Sequence, residues 1–310
     1  MPAPHPASVA VVGGGRWARV LLDVLAGLLP PSVPLSVHSR SNAAGMADWA
    51  RAKGLEGRLA VRDGAPDAAA VLVANLARDH EAAAVAALKA GAHVFLEKPL
   101  APDAAGAERI VKAGGRLAAS QVLRWARSVE MLSKRCAEAG PLESLSVQWT
   151  SPAGELRHGE AVRLDPSLTA TADVLPHVCA LVEALCGTAP TRLRSAAREG
   201  GVERLGLDAG TLPVDVRLQR AGNARRRVVE ARAGGKLLTL DFSTEPGTIA
   251  GPAGVEEADP SWSTRPRPMA AMLGAFLAWA GGAPKDPRLE PATQLQSCRL
   301  ADEAGRRFAR

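Results

Sequence analysis

Residues 9–18 read Val-Ala-Val-Val-Gly-Gly-Gly-Arg-Trp-Ala, an apolar run that passes into the pattern G-x-G-x-x-A and then into a helix-forming stretch. In this pattern Gly13 permits a tight turn, Gly15 lets a pyrophosphate approach the backbone, and Ala18 allows close contact between helix and strand. Free N–H groups at the start of the helix favour bound phosphate. The stretch predicts a dinucleotide site rather than a purely structural glycine turn. The residues expected to contact the cofactor here are Gly13, Gly14, Gly15, Arg16 and Trp17.

The first 120 residues alternate short apolar runs with longer Ala-rich stretches, which is typical of βαβ units that form a parallel sheet. Helices are expected at 17–29 and 80–90, the second with Asp79 as its N-cap and Gly91 at its end. The predicted strands are residues 9–12, 35–38, 70–74, 93–96 and 116–120. We therefore predict an α/β fold that begins with a doubly wound Rossmann domain over residues 1–120.

Beyond Ser120 the pattern changes to strand-like segments separated by short polar turns. Several of them alternate apolar and polar residues, which predicts an open antiparallel sheet with one covered face and one face that is wet or used for association. Strands are predicted at 144–149, 191–197, 214–220, 226–232 and 236–242, and helices at 171–185, 269–279 and 292–309 are expected to pack on the sheet. Residues 251–268 predict a long surface loop. Residues 121–310 thus form a predicted α+β domain for substrate binding and oligomerisation.

Composition excludes several classes of protein. The 310 residues are 47% hydrophobic and 23% charged, close to the globular average. The four cysteines show no C-x-x-C spacing, so reduced thiols and no metal site are expected. The net charge of +6 is scattered, and its densest cluster, Arg225 to Arg227, opens a strand-like segment, so no nucleic-acid partner is expected. The first twelve residues lack signal-peptide features and no apolar run could span a bilayer, so we expect a cytoplasmic protein without a membrane partner.

The end of the second predicted strand distinguishes the two nicotinamide cofactors, because an acidic residue there would bind the ribose hydroxyls and repel a 2′-phosphate. Residues 38–42 read His-Ser-Arg-Ser-Asn and contain no carboxylate. Ser39 can donate a hydrogen bond, and Arg40 can pair with a phosphate through two N–H groups. This predicts NADP(H) in preference to NAD(H); the alternative is an ordinary exposed Arg40 beside an NAD site.

Two further motifs carry candidate chemistry. Residues 95–100, Phe-Leu-Glu-Lys-Pro-Leu, close the fourth apolar strand, so Lys98 is expected at the carboxyl edge of the sheet, where doubly wound folds bind ligands. Asp173 and His177 lie four residues apart, a spacing that places both side chains on one helix face, where the carboxylate could orient or stabilise the imidazole. Pro176 is compatible with that helix if it lies in the first turn.

With these motifs in order, the chain resembles the glucose-fructose oxidoreductase, inositol dehydrogenase and rhizopine-catabolism (Gfo/Idh/MocA) family. The resemblance rests on the glycine loop, on residues 90–99 (Ala-Gly-Ala-His-Val-Phe-Leu-Glu-Lys-Pro) and on the D-x-x-x-H of Asp173 and His177, and it spans almost the whole chain. It implies a Rossmann domain followed by an open antiparallel sheet that often forms oligomer contacts, here in a homodimer or homotetramer. It also implies hydride transfer between NAD(P) and a sugar-like or other small polar substrate.

The same resemblance implies roles for individual residues. Lys98 would contact the reacting oxygen and the nicotinamide ribose, and it would also bind substrate. His177 would give or take the proton, Asp173 would support it, and both would also bind substrate. Glu97 and Asn75 would lie near the cofactor.

Some residues depart from the family pattern. The family has small glycines around the Asp where this chain has Ala172, Leu175 and Pro176, and it often has a second acid where this chain has Ala180. A remodelled substrate pocket is therefore expected.

Several roles stay open from the sequence. Arg124 either reaches an anionic substrate or is simply exposed, and Trp125 and Trp149 either stack on a substrate ring or pack in the core. Imine reduction in a biosynthetic pathway is an alternative activity, although the presence of Lys98 favours a carbonyl substrate. A non-catalytic NADP(H)-binding regulator is a further alternative, and the presence of the three polar groups together argues against it.

Overall fold

The computed structural model describes residues 4–157, 160–161, 165 and 167–309, and the chain divides into two units. The first unit comprises Met1–Ser120 and Met269–Leu295, and the second comprises Gln121–Pro268 and Gln296–Arg310. The helices are α1 (Arg16–Leu28), α2 (Ala43–Ala52), α3 (His80–Lys89), α4 (Ala104–Lys112), α5 (Arg127–Ala139), α6 (Ala170–Cys186), α7 (Pro268–Ala280) and α8 (Ala292–Phe308). Short 3₁₀ turns occupy Ala77–Asp79, Val122–Trp125 and Pro287–Leu289.

Six parallel strands form the sheet of the first unit. They are β1 (Val9–Val12), β2 (Leu35–His38), β3 (Leu59–Arg62), β4 (Ala70–Val73), β5 (His93–Leu96) and β6 (Leu117–Ala119). Their order in the sheet is β3-β2-β1-β4-β5-β6, so the winding reverses between β1 and β4. Ligands of doubly wound folds bind beyond the carboxyl ends of the strands at such a reversal. The predicted Rossmann sheet is confirmed.

Helix α1 shows why the first unit forms where the glycine motif predicts it. Ala18, Leu21, Leu22 and Leu25 recur at intervals of one helical turn and are fully buried. Burying each of these leucines stabilises the fold by roughly 1.5–3 kcal/mol. The pattern is local, and therefore the predicted helix is confirmed to within one residue at each end.

Helix α3 confirms one predicted boundary and corrects another. It ends at Lys89, and Gly91 follows with a φ of +84°, a left-handed conformation that suits glycine after a helix. Asp79 precedes the helix as predicted, but its side chain accepts no capping hydrogen bond. The reason is that Asp79 belongs to the preceding 3₁₀ turn and has helical rather than extended backbone angles.

Helix α7 lies in the first unit, which corrects its predicted packing on the antiparallel sheet. Phe276 packs against Phe95 of β5, with 5.4 Å between the ring centroids, and Trp279 meets the His93 ring edge-on at 4.7 Å. Residues on α7 are apolar around most of the helix, so its pattern does not select a partner sheet.

Eight strands form the sheet of the second unit. They are β7 (Leu142–Pro152), β10 (Arg192–Glu199), β11 (Val202–Ala209), β12 (Leu212–Gly222), β13 (Arg226–Ala233), β14 (Lys236–Asp241), β15 (Thr248–Gly251) and β16 (Gly254–Glu257). The two short strands β8 (Leu156–Arg157) and β9 (Glu160–Ala161) pair separately. The order is β10-β11-β12-β7-β13-β14-β15-β16, and every neighbouring pair is antiparallel except β7 with β12. The predicted open sheet is confirmed, with this one parallel pair added.

Strand β16 corrects the prediction of a loop over residues 251–268. Its residues are mostly exposed at the sheet edge and lack an apolar alternation, so the sequence gives no strand signal there.

The two faces of this sheet differ as the alternation predicts. Val147, Val216 and Val229 point to the buried face, which helices α5 and α6 cover. The opposite face carries exposed polar side chains such as Asp215 and Glu230. One covered and one wet face are thus confirmed for β7, β12 and β13.

Candidate active site

The glycine loop follows β1 at the reversal of the first sheet. Gly13 has a φ of +140°, and a Cβ at this position would lie 2.8 Å from the carbonyl oxygen of Ala74 at the end of β4. A Cβ on Gly14 would collide with the Ser39 side chain. Only glycine fits at both positions, because the loop is pressed against β4 on one side and the end of β2 on the other.

Gly15 differs, since a Cβ there would meet no heavy atom within 4 Å. It is the N-cap of α1, whose first turn has no side-chain cap and no acidic residue. The helix dipole favours negative charge at this turn, where an α-helix presents backbone N–H groups. The loop has the open space and the donors that a pyrophosphate requires.

Asn75 lies two residues after β4, and its backbone nitrogen is close to Gly13 of the loop. Its side-chain oxygen is buried and accepts no hydrogen bond, while its Nδ2 donates to the carbonyl of Asp79 at 3.4 Å. A buried acceptor without a donor is unfavourable in the protein alone and suits a ribose or amide group of a cofactor. The residues present fit a dinucleotide.

The end of β2 holds the predicted specificity residues. Ser39 is buried and its Oγ accepts the backbone N–H of Asn42 at 3.1 Å, whereas Arg40 is exposed. His38 is buried, and its pKa is lowered by burial and, to a smaller degree, by the charge of Arg62. Arg62 pairs in register with His38 at the end of β3, so a second cation lies beside His38, two residues before Arg40. The sequence prediction did not include Arg62, because β3 was not predicted.

The carboxyl end of β5 holds Glu97 and Lys98. Glu97 is 4% exposed, and burial raises the pKa of its carboxyl group above its ordinary value. Its Oε2 accepts the backbone N–H of Lys98 at 3.2 Å. Lys98 is half-buried and precedes Pro99 through a cis peptide bond. Both predicted residues therefore lie at the predicted edge of the first unit.

Asp173 and His177 lie on α6 in the second unit. The helix begins at Ala170, where the Thr169 side chain caps it by accepting the Ala172 N–H at 3.0 Å. Asp173 stands in the first turn and pairs with Arg220 at 3.1 Å. Arg220 also donates to the Leu168 carbonyl at 2.7 Å, which fixes the guanidinium at the start of the helix.

Pro176 lies in the second turn of α6 rather than in the first, which corrects the expectation for its position. It cannot donate to the Ala172 carbonyl, but the helix continues to Cys186. Leu175 and Ala180, two of the departures from the family pattern, are completely buried and pack in the core.

His177 is stacked on Trp149 of β7, with 5.2 Å between ring centroids and 12° between ring planes. The buried guanidinium of Arg227 lies over the same indole at 4.0 Å from its centroid, and Phe242 meets it edge-on. The indole of Trp149 is thus occupied by protein groups, and it fixes the plane of the His177 ring. This indicates packing for Trp149.

Arg124 stands in the 3₁₀ turn before α5 and pairs with Glu183 of α6 at 3.3 Å, both side chains being largely buried. The pair accounts for its charge within the second unit, so its contact with a substrate remains a prediction. Trp125 is partly buried in the same turn.

Two other kinds of feature are absent from the described part of the chain. Across residues 4–157, 160–161, 165 and 167–309, no group of three or more His, Cys, Asp or Glu side chains is arranged to hold a metal ion. Within that same part of the chain, no helix has the length and apolar character needed to cross a membrane.

The family model that matches this chain covers most of the amino-terminal segment of the first unit. A family model described as GFO_IDH_MocA, oxidoreductase family, NAD-binding Rossmann fold, matches residues 7–117. Inositol 2-dehydrogenase of Streptomyces avermitilis is 42% identical over 93 residues, which cover 26% of this chain and 27% of that protein. The chain thus matches about a quarter of the length of this curated relative.

Solved structures with a similar fold align with nearly the whole chain. UDP-N-acetylglucosamine 3-dehydrogenase from Acidithiobacillus ferrooxidans aligns with a TM-score of 0.73 at 17% identity, covering 97% of each chain. A 3-ketoreductase from Actinomadura kijaniata, solved with TDP-benzene and NADP, aligns with a TM-score of 0.74 at 19% identity, covering 98% of each chain. At such identities the likeness establishes the shared fold of both units.

Proposed function

We propose that this chain, whose residues 7–117 match the Gfo/Idh/MocA oxidoreductase family model with its NAD-binding Rossmann fold, transfers hydride between NADP(H) and the C=O or CH–OH group of a small polar substrate. The observation that carries the proposal is the open backbone of Gly15 at the start of α1, facing the reversal between β1 and β4. Because no side chain occupies this space, a pyrophosphate can enter it.

The proposed preference for NADP(H) over NAD(H) rests on charge. Arg40 and Arg62 stand at the ends of β2 and β3, and residues 38–42 contain no carboxylate. Two cations near the adenosine ribose favour a 2′-phosphate, and a guanidinium can bind it through two N–H groups. Ser39 keeps its hydroxyl proton free to donate, since its Oγ accepts from Asn42.

When bound, the nicotinamide group supplies or accepts the hydride. In the proposed reaction the ammonium of Lys98 stabilises the negative charge that develops on the substrate oxygen, and the imidazole of His177 gives that oxygen its proton in reduction or removes it in oxidation. Asp173 acts on His177 as a fixed negative charge, held in place by Arg220.

The proposed substrate is a sugar-like or similar small polar molecule, because the curated relatives act on inositol. Arg124 is proposed to contact it only if the substrate is anionic, since the guanidinium already pairs with Glu183. The proposed assembly is a homodimer or homotetramer formed through the sheet of the second unit, and the proposed location is the cytoplasm. The molar mass measured by light scattering tests the assembly.

Cofactor titration and turnover together test the proposal. Wild type, Arg40→Ala and the matched control Arg51→Ala, which removes an exposed arginine from α2, are titrated with NADPH and NADH. We expect wild type to bind NADPH at least about tenfold more tightly than NADH, and only Arg40→Ala to lose that difference. Reduction of a panel of keto-sugars, ketones and imines is then followed by NADPH absorbance. Tighter NADH binding that Arg40→Ala does not change would refute the cofactor assignment, and turnover of imines alone would refute the carbonyl assignment.

A further inference from the structure

We propose that His80 is a positioning residue that ties the loop after β4, which carries Asn75, to the turn after β5, which carries Lys98. The proposal rests on the proposed function, because that function gives Asn75 a role in cofactor binding and Lys98 a role in catalysis. His80 itself was not among the residues predicted from the sequence.

The geometry of the His80 ring is the basis of the proposal. His80 begins α3 and is 1% exposed. Its Nδ1 lies 2.9 Å from the carbonyl oxygen of Pro99, and its Nε2 lies 3.2 Å from the carbonyl oxygen of Asn75. Both oxygens are acceptors, so each contact is a hydrogen bond only where the facing ring nitrogen carries a proton. In a neutral ring the shorter contact favours a proton on Nδ1, and a protonated ring donates to both.

The two carbonyls belong to the segments that the proposed chemistry uses. Pro99 directly follows Lys98, and Asn75 carries the buried side-chain oxygen that accepts no hydrogen bond. β4 and β5 are neighbours in the sheet, with Val73 opposite Leu96, so both loops leave the same sheet edge. The imidazole ring of His80 therefore bridges the loop after β4 and the turn after β5.

Lys98 is held from two directions as a result. The carboxyl group of Glu97 accepts the Lys98 N–H on one side, and His80 holds the Pro99 carbonyl on the other. Without the ring, the Pro99 carbonyl in its buried turn would lose this donor, which is unfavourable for a buried acceptor. The turn would then move to find one, and a displacement of the ammonium by about 1 Å is enough to lower turnover markedly.

The two arms of the ring can be removed one at a time. An asparagine amide places its N–H₂ near the position of Nδ1, so His80→Asn keeps the arm to Pro99 and loses the arm to Asn75. A glutamine amide reaches the position of Nε2, so His80→Gln keeps the arm to Asn75. His80→Leu removes both and keeps the volume.

The experiment measures Kd for NADPH, kcat, and the thermal midpoint for each variant and for a control, Glu81→Gln, at the next residue of α3. Because the arm to Asn75 acts on cofactor binding, His80→Asn should raise Kd about fivefold or more with kcat near wild type. His80→Gln should lower kcat about fivefold or more with Kd near wild type, and His80→Leu should show both effects. Glu81→Gln should show neither, since its carboxylate pairs with Arg109 at the surface.

Two results would overturn the proposal. One is a folded His80→Leu with wild-type Kd and kcat. The other is a set of variants that lose thermal stability while Kd and kcat stay at wild-type values below the midpoint, which marks a purely structural role. If wild type turns over no substrate, the proposed function fails by itself, and the Kd values of His80→Asn, His80→Gln and His80→Leu still decide whether the ring positions Asn75.

Discussion

Replacing Gly13 with alanine is expected to destabilise the first unit, whereas the same replacement at Gly15 is expected to spare stability and weaken cofactor binding. The two glycines are two residues apart in one loop, so they form a matched pair. The first is required by the fold, and the second is proposed to be required by the ligand, which makes the comparison a test of the proposed phosphate site.

The magnitudes follow from the space around each Cβ. At Gly13 the added atom would lie 2.8 Å from the oxygen of Ala74, 2.9 Å from its carbonyl carbon and 3.1 Å from the nitrogen of Asn75, all of them backbone atoms. Strain at a φ of +140° and the clash together should cost about 2–5 kcal/mol.

At Gly15 the φ of −92° is compatible with alanine and no atom is near. Alanine is a poorer N-cap than glycine, which lowers stability, but it also restricts the unfolded chain, which raises stability. Because the two effects oppose each other, the free energy of unfolding should change by less than about 1 kcal/mol.

The assay is denaturant unfolding without cofactor, combined with titration by NADPH. Gly15→Ala should unfold with the wild-type midpoint and bind NADPH at least about tenfold more weakly, because its methyl group occupies the space of the phosphates. Gly13→Ala should unfold at a lower denaturant concentration than wild type. A Gly15→Ala variant with wild-type affinity, or a Gly13→Ala variant with wild-type stability, would refute the assignment of the loop.

Three further predictions concern single side chains. Trp149→Leu should lower kcat while Kd for NADPH stays unchanged, because the His177 ring loses its stacking partner; steady-state kinetics and cofactor titration check this. Arg220→Met should destabilise the second unit by roughly 1–3 kcal/mol in denaturant unfolding, because the ion pair with Asp173 and the hydrogen bond to the Leu168 carbonyl are both lost. Glu97→Gln should become more stable relative to wild type as the pH rises above the ordinary pKa of a Glu side chain. The raised pKa of Glu97 means that the folded protein holds this proton more tightly than the unfolded chain, so wild type loses stability between the unfolded and the folded pKa, whereas the glutamine variant does not. Unfolding measured across pH checks this, and equal pH profiles would contradict it.

The amino-terminal half of the fold could be predicted because its signals are local. The strand from Val9, the glycine turn and the apolar face of α1 are contiguous, and each element is confirmed within a residue. Strand β11 was missed, because all of its residues except Arg204 are buried, Glu203 and Asp208 included, and the run does not alternate. Helix α7 was found, but its partner sheet was wrong, since an all-round apolar helix carries no information about which sheet covers it.

The types of residue in the site could be predicted from the sequence, but the groups with which they interact could not. Glu97, Lys98 and Asn75 follow β5 and β4 as expected, because strand ends at one sheet edge can be read from the apolar runs. Ion pairs such as Asp173 with Arg220, 47 residues apart, depend on strand order and register, which no local pattern specifies. The role of His80 depends on two backbone carbonyls, and backbone partners leave no trace in the sequence.

The turnover of Lys98→Ala and His177→Ala on a substrate that wild type reduces with NADPH tests the central claim most directly. Both variants should lose about 10²- to 10⁴-fold in kcat, because each removes a group that is proposed to act on the reacting oxygen. His177→Ala should keep the wild-type Kd for NADPH. Wild-type kcat values in both variants would contradict the proposed function.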